Sequence, residues 1–485
     1  MKKILLAGAA FMCLGASPIV QIPVSQSISV NDKAEGAKAH PDLLQEYGGL
    51  YDGPQSAYVV KVGRRVATQS GISNVDKDFT ITLLNSPVEN AFAIPGGYVY
   101  CTRQLMALMN DEAELASVLG HESGHVAAHH AEKRNKLAQR DSILGALGQV
   151  LAGAVLGNST LGQLATKGIS LGVNAHILSY SRGEEYEADD LGVLFINKAG
   201  YDPRAASEML ASLGAQVSLD QRLAGNARST PTWQSTHPDP ASRVTRALGR
   251  AQDLHSTNTY RNNDAFLMSL KGMIYGDDPK QGVIEGQDFK YPTSQFQFTA
   301  PAGFAMSNGT RAVTITGSGG QATFSGGKLG SDLNSYVDGV FRGLGGQNQI
   351  AHSAYTSGSV NGMRTVSAMA TAQSSNGQTV DVTVVAYAFS PTEAYHFVVI
   401  TPQGQGMGAL SPLMQSFRRM TTAEAAAVRI RRVDVIKVRN NDTVASLAAR
   451  MAYTNNQIER FTVLNALDPN APLVPGRKVK LIVYG

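Results

Sequence analysis

Cysteine is nearly absent from this 485-residue chain, which has only Cys13 and Cys101. Cys13 lies in an apolar N-terminal run, so a chain that loses the run keeps one cysteine and no intramolecular disulfide framework. Charge is scarce as well. Asp, Glu, Lys and Arg make up 16% of the residues, against about 25% in an ordinary soluble protein. With 43% hydrophobic residues, this excludes an intrinsically disordered chain and a surface that binds by charge alone. The 42 Lys and Arg nearly balance 38 Asp and Glu, leaving a formal charge of +4, so no nucleic-acid partner is expected. At roughly 150 residues per domain the length predicts about three domains.

The N-terminal apolar run, residues 4–14, is far below the ~20 residues a membrane-spanning helix needs. Lys2 and Lys3 precede it, and Gly15, Ala16 and Ser17 follow as small residues for cleavage, so residues 1–17 read as a signal peptide. Lipidation at Cys13 is disfavoured because Met12 stands where processing wants a small residue. The chain is therefore expected to be exported. Residues 142–166 carry no charged side chain. Their glycines and polar residues favour a helical pair or lid over a spanning helix, with membrane association as the alternative.

Helical signals fill residues 40–255. Asp111 with Glu114 and Ser181 with Glu184 have capping-box spacing, and Asp202 before Pro203 suits a third helix start. Residues 79–84 alternate as a strand, and Pro95, Gly96 and Gly97 form a turn into Tyr98, Val99 and Tyr100, so a hairpin should precede the first capped helix. From residue 287 to 425 the composition shifts to Gly, Ser, Thr and aromatics in short alternating runs, with helical stretches near 333–344 and 410–417. That pattern predicts an antiparallel α+β domain without readable chemistry. Residues 429–439 read as a basic linker or edge strand, followed by a small last unit over 434–485.

The chemistry is concentrated in HESGH at residues 121–125. On a helix, positions i and i+4 stack on one face about 6 Å apart, so His121 and His125 can reach one Zn²⁺. Glu122 adjoins that ion without ligating it and can act as general base and acid toward water attacking at the metal. Catalytic zinc wants a third protein ligand. In the EYEAD stretch at 185–189, Glu185 and Asp189 share a helical face, so one can bind metal while the other orients a ligating histidine. The plainer alternative is an acidic helix start favoured by the dipole. His129 continues the face of His121 and His125 but sits about 12 Å along the axis from His121, too far to share an ion with it. Cys101 reads as a small buried hydrophobe.

HESGH followed by EYEAD resembles the zinc metallopeptidase family of HtpX, BepA, LoiP and the CAAX prenyl proteases. Residues 90–99 (NAFAIPGGYV), 199–203 (AGYDP), and Thr236, His237 and Pro238 with Arg243 beyond match the family in the same order. The resemblance spans about residues 40–250. It implies a mostly helical zincin core with a small β-sheet, one Zn²⁺ per chain held by His121, His125 and Glu185, Glu122 as base, and Asp189 as the histidine's orienting partner. It also implies endopeptidase action on unfolded or misassembled envelope proteins in the periplasm. His237 is either a switch ligand at the open metal position or an ordinary loop histidine. Arg243 either steadies an oxyanion or pairs with a carboxylate. Substrate would add as a strand along Asn90, Ala91, Phe92 and Ala93 if that edge is exposed.

The last unit resembles a LysM-like βααβ module, with Asn441, Asp442 and Thr443 where that family opens Gly-Asp-Thr. The likeness implies peptidoglycan binding through residues 434–485, or else a structural cap. A self-inhibited, chaperone-like outer-membrane assembly factor and a glycan-binding protein stand as the alternatives to an active protease.

Overall fold

The computed structural model describes residues 27–72, 74–133, 180–224, 237, 240–345, 350–373 and 378–485. The signal-like residues 1–17 and the uncharged segment 142–166 lie outside the described residues, as do Thr236 and Pro238. Among the described residues no helix is long and apolar enough to cross a membrane.

Three strands make the small sheet of the first unit: β1 (Thr80–Leu84), β2 (Ala91–Ile94) and β3 (Tyr98–Thr102), in the order β1-β3-β2. β2 and β3 form the expected hairpin, turned by Gly96 and Gly97 at φ 88° and 80°, a region open to glycine. β1 pairs with β3 in parallel. This leaves β2 as an edge strand.

Behind the sheet runs the helix Glu112–Ala127, here the motif helix. Asp111 caps it, accepting from the Glu114 N–H at 2.8 Å. Every residue of this helix except His121 and Val126 is buried, so it is a core element rather than an amphipathic surface helix. The helix Arg182–Lys198, here the carboxylate helix, starts with the full Ser181/Glu184 capping box. It lies directly on the motif helix because glycines face the crossing. A Cβ at Gly124 would come within 3.0 Å of the Ala188 carbonyl oxygen, and one at Gly192 within 2.9 Å of the His121 nitrogen. This close backbone approach brings the EYEAD carboxylates against the histidines. Asp202 stands before the next helix, Ala205–Ala224, and its Oδ1 accepts from the Arg204 backbone N–H at 3.0 Å, as an N-cap side chain does. Its carboxylate also pairs with the Arg204 and Arg261 side chains, at 2.7 and 3.0 Å.

The following unit holds a seven-stranded sheet, antiparallel at every pairing, built from strands between Ala305 and Pro402. The helix Leu333–Gly345 covers one face through Leu333, Val337 and Phe341. An aromatic core covers the other, where Phe289, Phe296 and Phe298 from a four-stranded sheet meet Phe324, Phe397 and Phe417. The expectation of a mixed α and β architecture in several units holds.

The C-terminal unit runs strand, helix, helix, strand: Arg431–Lys437, Val444–Ala448, Gln457–Leu464 and Lys478–Tyr484, with the two strands antiparallel. Its apolar side is not closed on itself. Val433, Leu447, Phe461 and Leu481 join the same core as Leu105, Met106, Leu213 and Phe266 of the first unit. Lys480, wholly buried, donates to the carbonyls of Ala107, Leu108 and Met109 at 2.6 to 2.9 Å. Those carbonyls end the short helix Arg103–Leu108, where peptide oxygens lack intrahelical donors. Between this unit and the helix Ala205–Ala224 lies a cavity of about 1050 Å³, lined in part by Tyr275, Arg431, Tyr453 and Arg460. Among the described residues, none of the metal-site donors lines it.

Candidate metal centre

Four residues converge at the crossing of the motif and carboxylate helices. One ligand atom each from His121, His125, Glu185 and His237 lies within 4.8 Å of every other. The two helical histidines face each other through Nε2, 3.0 Å apart. Glu185 Oε1 is 3.4 Å from His125 Nε2, and its Oε2 is 3.6 Å from His121 Nε2 and 3.1 Å from His237 Nδ1. A tetrahedral ion bound at about 2.0–2.1 Å needs donors about 3.3 Å apart. The donor set therefore fits a metal. All but His121 are at most 1% exposed.

The surrounding groups set the charge of these donors. Burial works against ionising Glu185, but His237, His125 and His121 together hold its carboxyl well below the ordinary carboxylate range. Burial likewise opposes ionisation of Asp189, yet Arg243 and His121 hold it at about 2. Burial pushes His125 well below the usual imidazole value, the direction that favours the neutral ring a metal ligand needs. Asp189 Oδ1 stands 3.0 Å from His121 Nδ1, where a carboxylate fixes the tautomer that frees Nε2 for a metal.

Glu122 is 1% exposed and is not one of the four convergent donors. Its Oε1 lies 3.7 Å from His237 Nε2, and its Oε2 has no hydrogen-bond partner among the described residues. Burial raises its carboxyl above the ordinary value, against the pull of His237 and His121. A buried carboxylate with a spare oxygen beside a metal site has the make-up of a proton acceptor.

Arg243, on the helix Pro240–Asp253, grips Asp189 through Nε and Nη2, both at 2.7 Å, and reaches Glu185 with Nη1 at 2.6 Å. Of the two alternatives for this residue, the carboxylate partner is the one built. Arg243 thereby ties Asp189 to Glu185 beside the donor cluster.

The substrate edge also differs from expectation. Asn90, Ala91, Phe92 and Ala93 are all buried. The Asn90 carbonyl accepts from the Thr102 N–H at 3.0 Å, and Phe92 stacks on Tyr100 with ring centroids 4.7 Å apart. Strand alternation then turns the backbone groups of Ala91 and Ala93 away from β3. The Ala91 carbonyl accepts from His237 Nε2 at 3.2 Å, so the edge is covered by the same histidine that reaches the donor cluster.

His130 and Tyr180 were not among the expected site residues. Tyr180 stacks on the His125 ring, with centroids 3.9 Å apart and planes 16° apart. His130 is wholly buried against His125. Helical periodicity would put residue 130 about 140° round the axis from His125. His129 adopts φ 53°, a left-handed conformation that ends the helix and turns His130 back. The His129 side chain lies outside the metal centre, near Asp32 and Glu132. Cys101 is buried and unpaired in the apolar core, as its reading as a hydrophobe expects.

A buried HExxH helix crossed by a carboxylate helix, with donors arranged for one ion, is the constellation of a metallopeptidase domain. Residues 54–251 match the family described as peptidase family M48. All four donors fall inside the matched residues. The chain is 31% identical over 236 residues to the beta-barrel assembly-enhancing protease of Yersinia pestis, covering 47% of this chain and 46% of that protein. The protein of the same name from Escherichia coli K12 is 30% identical over 217 residues, covering 44% of this chain and 42% of the relative. The mitochondrial metalloendopeptidase OMA1 of Schizosaccharomyces pombe is 29% identical over 233 residues, covering 46% of this chain and 64% of the relative. The chain thus spans about half the length of the first two relatives.

Proposed function

We propose that this protein is a zinc-dependent endopeptidase of the bacterial envelope, exported by its N-terminal segment, that cleaves misfolded or misassembled proteins. The observation that carries the reading is the convergence of His121, His125, Glu185 and His237 beside the unpartnered oxygen of Glu122. A zinc ion held by the first three would supply Lewis acidity toward a peptide carbonyl and toward water. Glu122 then takes a proton from the attacking water and returns it to the leaving amine, a task suited to a carboxyl raised by burial.

A catalytic metal keeps one position open, whereas His237 provides a fourth donor. His237 is also anchored on the Ala91 carbonyl, an outward-facing group of edge strand β2. An extended client pairing with that edge competes for the same carbonyl, so client entry and departure of His237 become one exchange. Reduced casein should be cleaved slowly by the wild type and roughly tenfold faster by His237→Ala. A chelator should abolish both activities and zinc restore them. No cleavage by either form would overturn the peptidase reading in favour of a chaperone-like assembly factor, the second reading that a four-donor resting site favours.

The strand, helix, helix, strand order of residues 431–484 supports peptidoglycan binding by the C-terminal unit. The full-length chain should co-sediment with purified sacculi, and recovery only in the supernatant would reduce this unit to a structural cap.

A further inference from the structure

We propose that His130 and Glu187 form a positioning relay that fixes the tautomer and orientation of the metal-facing His125, so that the carboxylate helix orients both histidines of the motif. The proposal rests on the reading of the site as a metal centre. Its geometry is a continuous chain of ring nitrogens. His125 Nδ1 lies 2.8 Å from His130 Nδ1, and His130 Nε2 lies 3.1 Å from Glu187 Oε2.

Only one pattern of protons satisfies this chain when a metal is bound. His125 points Nε2 at His121 and Glu185, and a ligating nitrogen carries no proton, so the ring proton sits on Nδ1. Nδ1–H of His125 then donates to His130 Nδ1, which must be bare. The proton of His130 therefore sits on Nε2 and donates to the Glu187 carboxylate. Both ring nitrogens of His130 are thus assigned: its opposite tautomer would set two N–H groups against each other, and the opposite tautomer of His125 would remove the metal-binding lone pair.

On the other histidine the same helix acts directly, since Asp189 lies against His121 Nδ1 at 3.0 Å. Residues 185, 187 and 189 of one helix thereby supply the carboxylate donor to the metal site and the terminal acceptor for each histidine. Glu187 points away from the face shared by Glu185 and Asp189 and is half exposed, so it cannot reach His125 itself. His130, wholly buried, spans the gap, and the left-handed turn at His129 is what places it there. Stacking of Tyr180 on His125 restrains the ring plane from the side.

The test is Zn²⁺ affinity of the full-length protein by chelator competition, read alongside the melting temperature of the metal-free form. Loss of an orienting partner of a metal-bound histidine weakens metal binding by roughly 10–100-fold. His130→Phe, which keeps a ring but no acceptor, should show such a loss. His130→Asn, which returns an acceptor near the Nδ1 position, should recover part of it. Glu187→Leu, at a half-exposed position where folding is not at stake, should weaken Zn²⁺ roughly threefold to tenfold. Nitrogen-15 spectra of the zinc-loaded wild type should show His125 protonated at Nδ1. Affinities within twofold of wild type for both His130→Phe and Glu187→Leu would overturn the relay. So would a weakening by His130→Phe that merely tracks destabilisation of the metal-free form with no effect of Glu187→Leu. Failure of the wild type itself to bind Zn²⁺ would instead remove the metal-centre reading beneath it.

Discussion

Glu122→Gln is expected to lower peptide cleavage roughly a thousandfold, within the range of about 10²–10⁴ for loss of a general acid–base group, while leaving the metal content at the wild-type level. The amide has nearly the shape of the carboxyl but cannot accept a proton from water. The four convergent donors do not include Glu122, so the site should still load. Stability should not fall. Burial raises the Glu122 carboxyl in the folded chain, and an acid with a raised folded pKa destabilises the fold in its ionised form as pH rises above the unfolded value. Replacing it with a neutral amide removes that cost, so the melting temperature of Glu122→Gln should equal or exceed that of the wild type. Casein cleavage and metal analysis on one preparation check both halves. Normal metal content with undiminished proteolysis would refute the role of Glu122.

Lys480→Met should have the largest effect on stability, at about 3–5 kcal/mol. The ammonium group serves three carbonyls, of Ala107, Leu108 and Met109. Methionine fills a similar volume but donates nothing, and buried acceptors left without partners cost about 1–3 kcal/mol each. Burial pushes the ammonium down to about 7, with Glu114 and Asp111 pulling it back up. The three carbonyls favour the charged form further, so the group is held in place by acceptors that no neutral side chain replaces. These residues run directly into Asp111, the cap of the motif helix, so metal affinity should fall along with stability. Thermal melts with and without zinc measure both. An unchanged melting temperature would mean that the C-terminal unit rests on the peptidase domain without supporting it.

Much of the metal centre was legible because it is local. The i, i+4 spacing of His121 and His125 places two imidazoles on one side of any helix, whatever surrounds it. Asp111 and Ser181 announce helix starts through short-range hydrogen bonds, and the glycines after Pro95 announce a turn. Asp202 likewise accepts from the Arg204 backbone N–H before the next helix, while its carboxylate also binds the Arg204 and Arg261 side chains, which no local spacing announces.

What the amino-acid sequence determined by itself was therefore the set of donors on each helix and the type of each element, properties that depend on neighbours within a few residues. Only the tertiary structure decided which groups meet. Gly124 and Gly192 admit a backbone-to-backbone crossing that sets Glu185 toward the donor cluster and Asp189 toward His121. Arg243, 54 residues beyond Asp189 in sequence, meets the carboxylates that this crossing brings together. His130 reaches His125 through a single left-handed residue, which reverses the helical periodicity. Lys480, 371 residues from Met109, finds its carbonyls because the last unit has an apolar face too small to close on itself and buries it on the peptidase core. Such contacts depend on how whole elements pack, and no short window of sequence contains them.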